Sequence, residues 1–233
     1  MKRITWLAPD GDPEAFPPHA AVLDDPPGLI AAGGDLRPAR LLAAYRRGIF
    51  PWYSPGQPIL WWCPDPREIL LPAEFKRTRS LAKRERNAGF DVSSDRAFAA
   101  VIDECAAPRE AELGTWITPE MRAAYVELHR LGIAHSIETW HRDELVGGLY
   151  GVQVGAVFFG ESMFSRCSDA SKVALSALVR AALVGGTQLI DCQMHTRHLA
   201  SLGSRAVARP DFLAMVARWT NEPDRWRAPD PHP

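Results

Sequence analysis

The residues of this 233-residue chain that could do chemistry fall in a few short stretches. In Gly160-Glu161-Ser162-Met163-Phe164-Ser165, a carboxylate follows the apolar run Val157-Phe158-Phe159, at the place where a strand would end. A carboxylate there needs a cationic partner, from the protein or from a ligand. Ser162 does not fit a nucleophile elbow, because Phe164 stands where the strained turn requires glycine. In Leu189-Ile190-Asp191-Cys192-Gln193, two polar residues close a buried strand, and the period of two puts Asp191 and Gln193 on one face. They fit either a reactive pair or a hydrogen-bonded structural pair. His195 and His198 are three apart with no third ligand at a telling spacing. The four cysteines, at 63, 105, 167 and 192, form no CxxC pair, so no metal site is expected. Gly33-Gly34-Asp35 lacks the lysine of a P-loop and the GxGxxG pattern. Residues 165–172 lack the Gly-x-Gly that coenzyme A would want before a helix, although Arg166 or Lys172 could help helix amides hold a phosphate.

Two further clusters bear on binding. Lys76, Arg77, Arg79, Lys83, Arg84 and Arg86 set six cations against the single acid Glu85. Such a run is either a contact for a phosphate backbone or the solvated face of a helix. Tyr45, Phe50, Trp52, Tyr53, Trp61 and Trp62, with Trp116 later, form an aromatic group. Most of it suits the core of a small proline-rich unit. Trp52, just after Pro51, is the expected stacking platform, since a base stacked on an aromatic ring contributes ~1–3 kcal/mol.

The elements that must position these residues belong to an ordinary globular chain, 46% apolar and 24% charged, with net charge −1. A disordered chain and a uniformly basic nucleic-acid coat are excluded. The start lacks a signal peptide's apolar stretch, and no apolar run approaches ~18 residues, so a cytoplasmic protein with reduced thiols is expected, away from membranes. Six prolines within the first 30 residues argue against long elements there. Asp35 is placed to cap a helix that Pro38 begins, over 39–47, and Gly48 ends it. Aromatic strands follow at 49–53 and 59–62, then a domain boundary at Pro64-Asp65-Pro66, separating a small unit (1–65) from a larger one (66–233). Further on come a strand at 69–71 and helices over 95–105 and from Thr118-Pro119 to His129. A three-strand antiparallel meander follows at 134–140, 145–152 and 154–159, broken at Gln153. A helix over 168–184, a buried strand at 188–192, helical pieces at 198–202 and 209–220, and a loose tail from Asn221 complete the chain. The fold class is α+β, a mixed sheet with packed helices of the acetyltransferase kind, preceded by a small N-terminal domain.

Seven stretches resemble one family, the leucyl/phenylalanyl-tRNA–protein transferases. They are residues 28–36 (GLIAAGGDL), 45–52 (YRRGIFPW), 59–62 (ILWW), 114–118 (GTWIT), 145–151 (LVGGLYG), 160–165 (GESMFS) and 189–193 (LIDCQ). The resemblance implies transfer of Leu or Phe, with Met a further candidate, from aminoacyl-tRNA to an acceptor protein. The acceptor begins with Arg or Lys and is thereby marked for N-degron proteolysis. It also implies an acetyltransferase-like second domain that takes its acyl group from tRNA rather than from coenzyme A, in agreement with the missing phosphate loop. By the family's pattern, Trp52 and Trp116 hold the terminal adenosine, with Tyr45 and Tyr125 nearby. Leu149, Phe158, Leu175, Leu178 and Ile190 form the side-chain pocket, and Glu161, Asp191 and Gln193 form the polar centre. The cations at 76–86 meet the tRNA, and Thr196 stands where some members carry asparagine.

The donor is already an activated ester, so no ATP, metal or other cofactor is expected. A free α-amine has a pKa of ~7.7–8.0 and needs no strong base. The expectation is therefore that Gln193, held by Asp191, orients the amine, while Glu161 and Asp191 attract the acceptor's cation. The active form is expected to be a monomer. Two alternatives share parts of the pattern: a coenzyme A-dependent N-acetyltransferase shares the fold, and a non-catalytic RNA-binding module shares the basic run and the aromatics.

Overall fold

The computed structural model describes residues 2–110 and 116–230. Gly114 and Thr115, part of one stretch quoted above, lie outside them. The chain runs through β1 (Thr5–Leu7), β2 (Leu29–Gly33), α1 (Pro38–Arg46), β3 (Phe50–Pro51), β4 (Leu60–Trp62), β5 (Arg67–Leu70), α2 (Arg79–Asn87) and β6 (Phe90–Ser94). It continues through α3 (Phe98–Glu110), α4 (Pro119–Arg130), β7 (Ala134–His141), β8 (Glu144–Val154) and β9 (Val157–Ser165). Last come α5 (Ala170–Gly185), β10 (Leu189–Gln193), α6 (Arg197–Ser201), β11 (Arg205–Val207) and α7 (Arg209–Trp219). Two sheets result: a four-stranded one in the order β1-β2-β4-β3, and a seven-stranded mixed one in the order β11-β5-β10-β9-β8-β7-β6. The fold is thus α+β, with one apolar cluster on each face of the large sheet.

Helix ends follow local chemistry. Thr118 accepts from the Met121 amide at 3.2 Å, and Thr78 from the Leu81 amide at 3.2 Å. Asp35, expected as the cap of α1, does not cap it; the N-cap is Arg37. Arg40 is fully buried and needs a counter-charge. Asp35 Oδ2 accepts from Arg40 Nε at 3.0 Å, while Oδ1 takes the Arg37 amide. Burial opposes the charge on Asp35, but these arginine contacts outweigh it and hold its carboxyl below the usual range.

Four other points depart from the sequence reading. The short strand at residues 29–33 was not anticipated. The strands β6 and β11 were not anticipated; both are edges of the large sheet, where one face of a short strand stays wet and the apolar pattern is weak. The meander breaks at Gly155 rather than at Gln153, whose buried amide donates to the Gly155 carbonyl at 2.7 Å. The tail is not loose through its described part: the Arg225 amide bonds the Gly155 carbonyl at 3.0 Å, and the Trp226 ring stacks on His135 at 4.0 Å.

Candidate active site

Strands β9 and β10 pair in parallel from Val157↔Leu189 to Phe159↔Asp191 and then part. Just past that point each carries an irregularity. In β9, Ser162 faces Tyr150 and Gly160 faces Gly151, so Glu161 is an inserted residue without a partner in β8. In β10, the pairing with β5 shifts between Asp191 and Gln193. Bulges bend a strand and re-aim a side chain. Gln193 has φ of 59°, in the left-handed region, at a cost of about 1–2 kcal/mol for a residue with a Cβ. The expected shared face of Asp191 and Gln193 is thereby broken.

A cavity of about 390 Å³ opens where the strands part. Its apolar wall includes Leu149, Phe158, Leu175, Leu178 and Ile190, and Glu161, Asp191 and Gln193 also line it. Residues expected to form a pocket and residues expected to form a polar centre thus meet around one space. Gly151 lets the wall form, because a Cβ there would lie 2.6 Å from the Phe158 ring. Cys192 is on the lining too, but burial pushes its thiol far above the usual value, so it stays protonated and unreactive. Thr196 lines the cavity and caps α6 through the Leu199 amide at 3.1 Å, a task asparagine could also perform.

Glu161 anchors a buried network. Its Oε1 lies 2.8 Å from Tyr45 Oη and 2.9 Å from Gln193 Nε2, and its Oε2 lies 2.9 Å from Tyr125 Oη. The two phenol oxygens are 2.5 Å apart. If both phenols donate to an ionised Glu161, no proton remains for their mutual contact. A protonated Glu161 supplies the third proton, and all three oxygen–oxygen contacts are then filled. Burial drives the Glu161 pKa up to about 7 in spite of the phenol hydrogen bonds, which accords with that proton count. Burial first, and then the charge of Glu161, keep both tyrosines well above their ordinary value.

Asp191 is fully buried and already paired. It takes Arg67 in a two-pronged ion pair at 2.8 and 2.6 Å, and its Oδ1 also accepts the Gln193 amide at 2.9 Å. The Arg67 guanidinium sits 4.7 Å from the Phe50 ring centroid and 4.5 Å from that of Phe212. Burial works against its charge, and the attraction of Asp191 outweighs it, so the Arg67 pKa stands raised. Asp191 therefore holds Gln193 in place but has no spare charge for an acceptor's cation, which corrects that part of the expectation. Arg67 was missed in the sequence; the only hint is a cation opening the otherwise strand-like Arg67-Glu68-Ile69-Leu70 directly after Pro66.

The aromatic set does not assemble as one surface. Tyr45 and Tyr125 are 1% and 0% exposed and turn their hydroxyls to Glu161, so neither is open to a nucleoside. Trp52 is 43% exposed, edge-on to Trp62 at 5.6 Å. Trp116 is half-buried against the core. The cations at 76–86 lie on and before α2, which packs on α5, the helix that supplies Leu175 and Leu178 to the cavity. Lys76, Arg77, Arg79, Lys83 and Arg86 are exposed, and Arg84 is half-buried. Arg77 is engaged with Glu85 at 2.7 Å. His198 lines the cavity, with burial lowering its pKa, whereas His195 lies 3.3 Å from Glu68.

Comparison with known proteins decides the family. A model described as leucyl/phenylalanyl-tRNA protein transferase matches residues 69–217, and the model of that family's N-terminal domain matches residues 34–65. A leucyl/phenylalanyl-tRNA–protein transferase of Azoarcus sp. (strain BH72) is 58% identical over 226 residues, covering 96% of this chain and 95% of its own. The chain belongs to the leucyl/phenylalanyl-tRNA–protein transferase family. Transferases of the same name from Chromohalobacter salexigens (60% identical, 90% of this chain, 82% of its own) and Stutzerimonas stutzeri (54%, 97%, 100%) are similarly close. Among solved structures, L-PGS from Bacillus licheniformis is 13% identical at a TM-score of 0.40, covering 66% of this chain and 51% of its own. A GCN5-related N-acetyltransferase from Kribbella flavida is 12% identical at 0.39, covering 73% and 61%. As a leucyl/phenylalanyl-tRNA–protein transferase, the chain is an aminoacyltransferase, with an aminoacyl-tRNA as donor and a protein as acceptor. Among the described residues, no helix is long and apolar enough to cross a membrane.

Proposed function

We propose that the chain moves Leu or Phe, with Met a further candidate, from tRNA to the N-terminal Arg or Lys of acceptor proteins in the cytoplasm, acting as a monomer and marking them for N-degron proteolysis. The observation that carries this reading is that one cavity has both an apolar wall and a polar edge built from Glu161, Asp191 and Gln193. Its wall suits an unbranched-at-Cβ apolar side chain, and its volume suits one amino acid. The aminoacyl ester would lie with its side chain against Leu149, Phe158, Leu175, Leu178 and Ile190, and its carbonyl near Gln193. Trp52 and Trp116 would receive the adenosine outside the cavity, with Tyr45 and Tyr125 supporting the polar centre from behind.

In the reaction, the acceptor α-amine attacks the ester carbonyl. A C–N bond forms, the bond to the ribose 3′-oxygen breaks, and the proton lost by the amine ends on that oxygen. Gln193 Nε2 is bound to Glu161, which leaves its Oε1 as the atom to accept an amine hydrogen. An amide is too weak a base to remove the proton, so positioning supplies most of the rate, with the neighbouring ribose hydroxyl as relay. Glu161, when ionised, is the one carboxylate here whose charge no arginine takes in a direct ion pair, and it would attract the acceptor's cation.

The test is transfer of labelled Leu from Leu-tRNA to a peptide beginning with Arg, against one beginning with Ala. Strong labelling of the first alone is expected; equal labelling, or none, overturns the acceptor assignment. The exposed cations on α2 carry a second expectation. Removing Lys83 and Arg86 together should weaken tRNA binding and flatten the slope of log affinity against log salt by about one unit for each phosphate no longer neutralised. An unchanged slope in a filter-binding titration would remove α2 from the tRNA surface.

A further inference from the structure

The C-terminal segment beyond α7 lies outside the stretch that the family model matches, which ends at residue 217. It nonetheless reaches the cavity wall from behind. Its path is seated closely: the Arg225 amide bonds the Gly155 carbonyl at 3.0 Å, and the Arg225 carbonyl passes so near Gly185 that a Cβ there would meet it at 2.6 Å. The Trp226 amide is fixed by Asp224 Oδ1 at 2.8 Å. The indole then stacks on the His135 ring (4.0 Å, 12° between planes) and on the Phe158 ring (5.9 Å, 22°). His135 is itself locked, with Nδ1 2.8 Å from Asp95 Oδ2. Phe158 lines the cavity and Trp226 does not. The Phe158 ring is therefore held over Gly151 on one side and backed by a braced indole on another.

We propose that Trp226 is a positioning residue for donor specificity: by bracing Phe158, it sets the depth of the side-chain pocket and hence the balance between Leu and Phe donors. This rests on the reading of the cavity as the site of the donor side chain. The physical reason is packing. A wall residue with an aromatic partner behind it cannot yield, and a wall residue with a void behind it can. The indole in place holds the pocket shallow, which suits a branched aliphatic side chain. With the indole gone, the Phe158 ring can move back, and the pocket gains depth for a ring.

The experiment compares the full-length protein with Trp226→Ala, Trp226→Phe and Phe158→Ala, measuring kcat and KM for Leu-tRNA and Phe-tRNA with a peptide that begins with Arg. For Trp226→Ala, the Phe-to-Leu ratio of kcat/KM should rise by about tenfold, the effect of roughly one methylene in a pocket, carried mainly by a higher KM for Leu-tRNA. Trp226→Phe, which keeps a ring in the stack, should return most of the ratio. A ratio unchanged within twofold in Trp226→Ala overturns the role of Trp226; should the alanine variant fail to fold, Trp226→Leu, which removes the ring stack but keeps an apolar side chain, takes its place, and an unchanged ratio there overturns the role equally. Phe158→Ala separates the two levels: if it also leaves the ratio unchanged, the cavity is not the donor pocket and the underlying reading falls as well.

Discussion

Replacing Asp191 with alanine is expected to remove about 3–5 kcal/mol of folding stability, because it leaves the Arg67 guanidinium buried without a counter-charge. Arg67 is 1% exposed and Asp191 0%, so water cannot take over the missing interaction. For a chain of this size, that corresponds to a fall in Tm of roughly 6–20 °C. The same substitution frees the Gln193 amide, which Asp191 Oδ1 holds at 2.9 Å against an unfavourable backbone conformation. Transfer should therefore be abolished even at temperatures where the variant is folded. The double substitution Arg67→Met with Asp191→Leu separates these effects: removing both charges recovers most of the stability but none of the activity. Calorimetry on the three proteins checks the first statement, and Phe transfer from Phe-tRNA checks the second. A loss below about 1 kcal/mol in Asp191→Ala would mean that the pair is not buried as described.

Glu161 carries the second large effect, and its sign is set by its raised pKa. In the folded protein the value is about 7, against 4.5 for an unperturbed glutamate. Between those pH values the native state binds the proton and the unfolded chain releases it. Stability therefore falls as pH rises from about 4.5 to about 7 and is level above that, by on the order of 3 kcal/mol in all. Glu161→Gln mimics the protonated form: its Oε1 accepts from Tyr45 and Gln193, and its amide donates to Tyr125. That variant should match the native protein at pH 5 and exceed it in stability at pH 8. Glu161→Ala, which takes the carboxyl partner from two buried phenols and leaves them only each other, should be less stable than either at pH 5. Urea unfolding at the two pH values decides the matter, and parallel behaviour of Glu161→Gln and the native chain would remove Glu161 as the titrating group. Activity should separate from stability, since Glu161→Gln keeps the geometry but not the charge proposed to attract the acceptor's cation. Its KM for the Arg peptide should rise while that for Phe-tRNA stays level.

Much of this protein was legible in its residues, where the signal is local. Thr118-Pro119 announced a helix start, Gly48 and Gly186 fall where helices end, and the apolar runs with polar breaks through 134–159 announced an antiparallel meander, because caps and breaks depend on neighbours within a turn or two. The residues expected to line a pocket and those expected to form a polar centre could be named from motif resemblance, and they surround one cavity. The edge strands β6 and β11 escaped, because a short strand with one wet side has little pattern of its own.

What the tertiary structure alone decided is how those residues are spent. The Asp191–Arg67 pair spans 124 positions of sequence, and the contact between Tyr45 and Glu161 spans 116. No local pattern encodes a partner so distant. The bulges at Glu161 and before Gln193 arise from register between strands, and such a shift breaks the period of two that put Asp191 and Gln193 on one strand face, although both still line the cavity. The tail follows the same rule: proline-rich and polar in sequence, it is held by a backbone hydrogen bond to Gly155 and a ring stack on His135, contacts that exist only once the sheet has brought their partners into place.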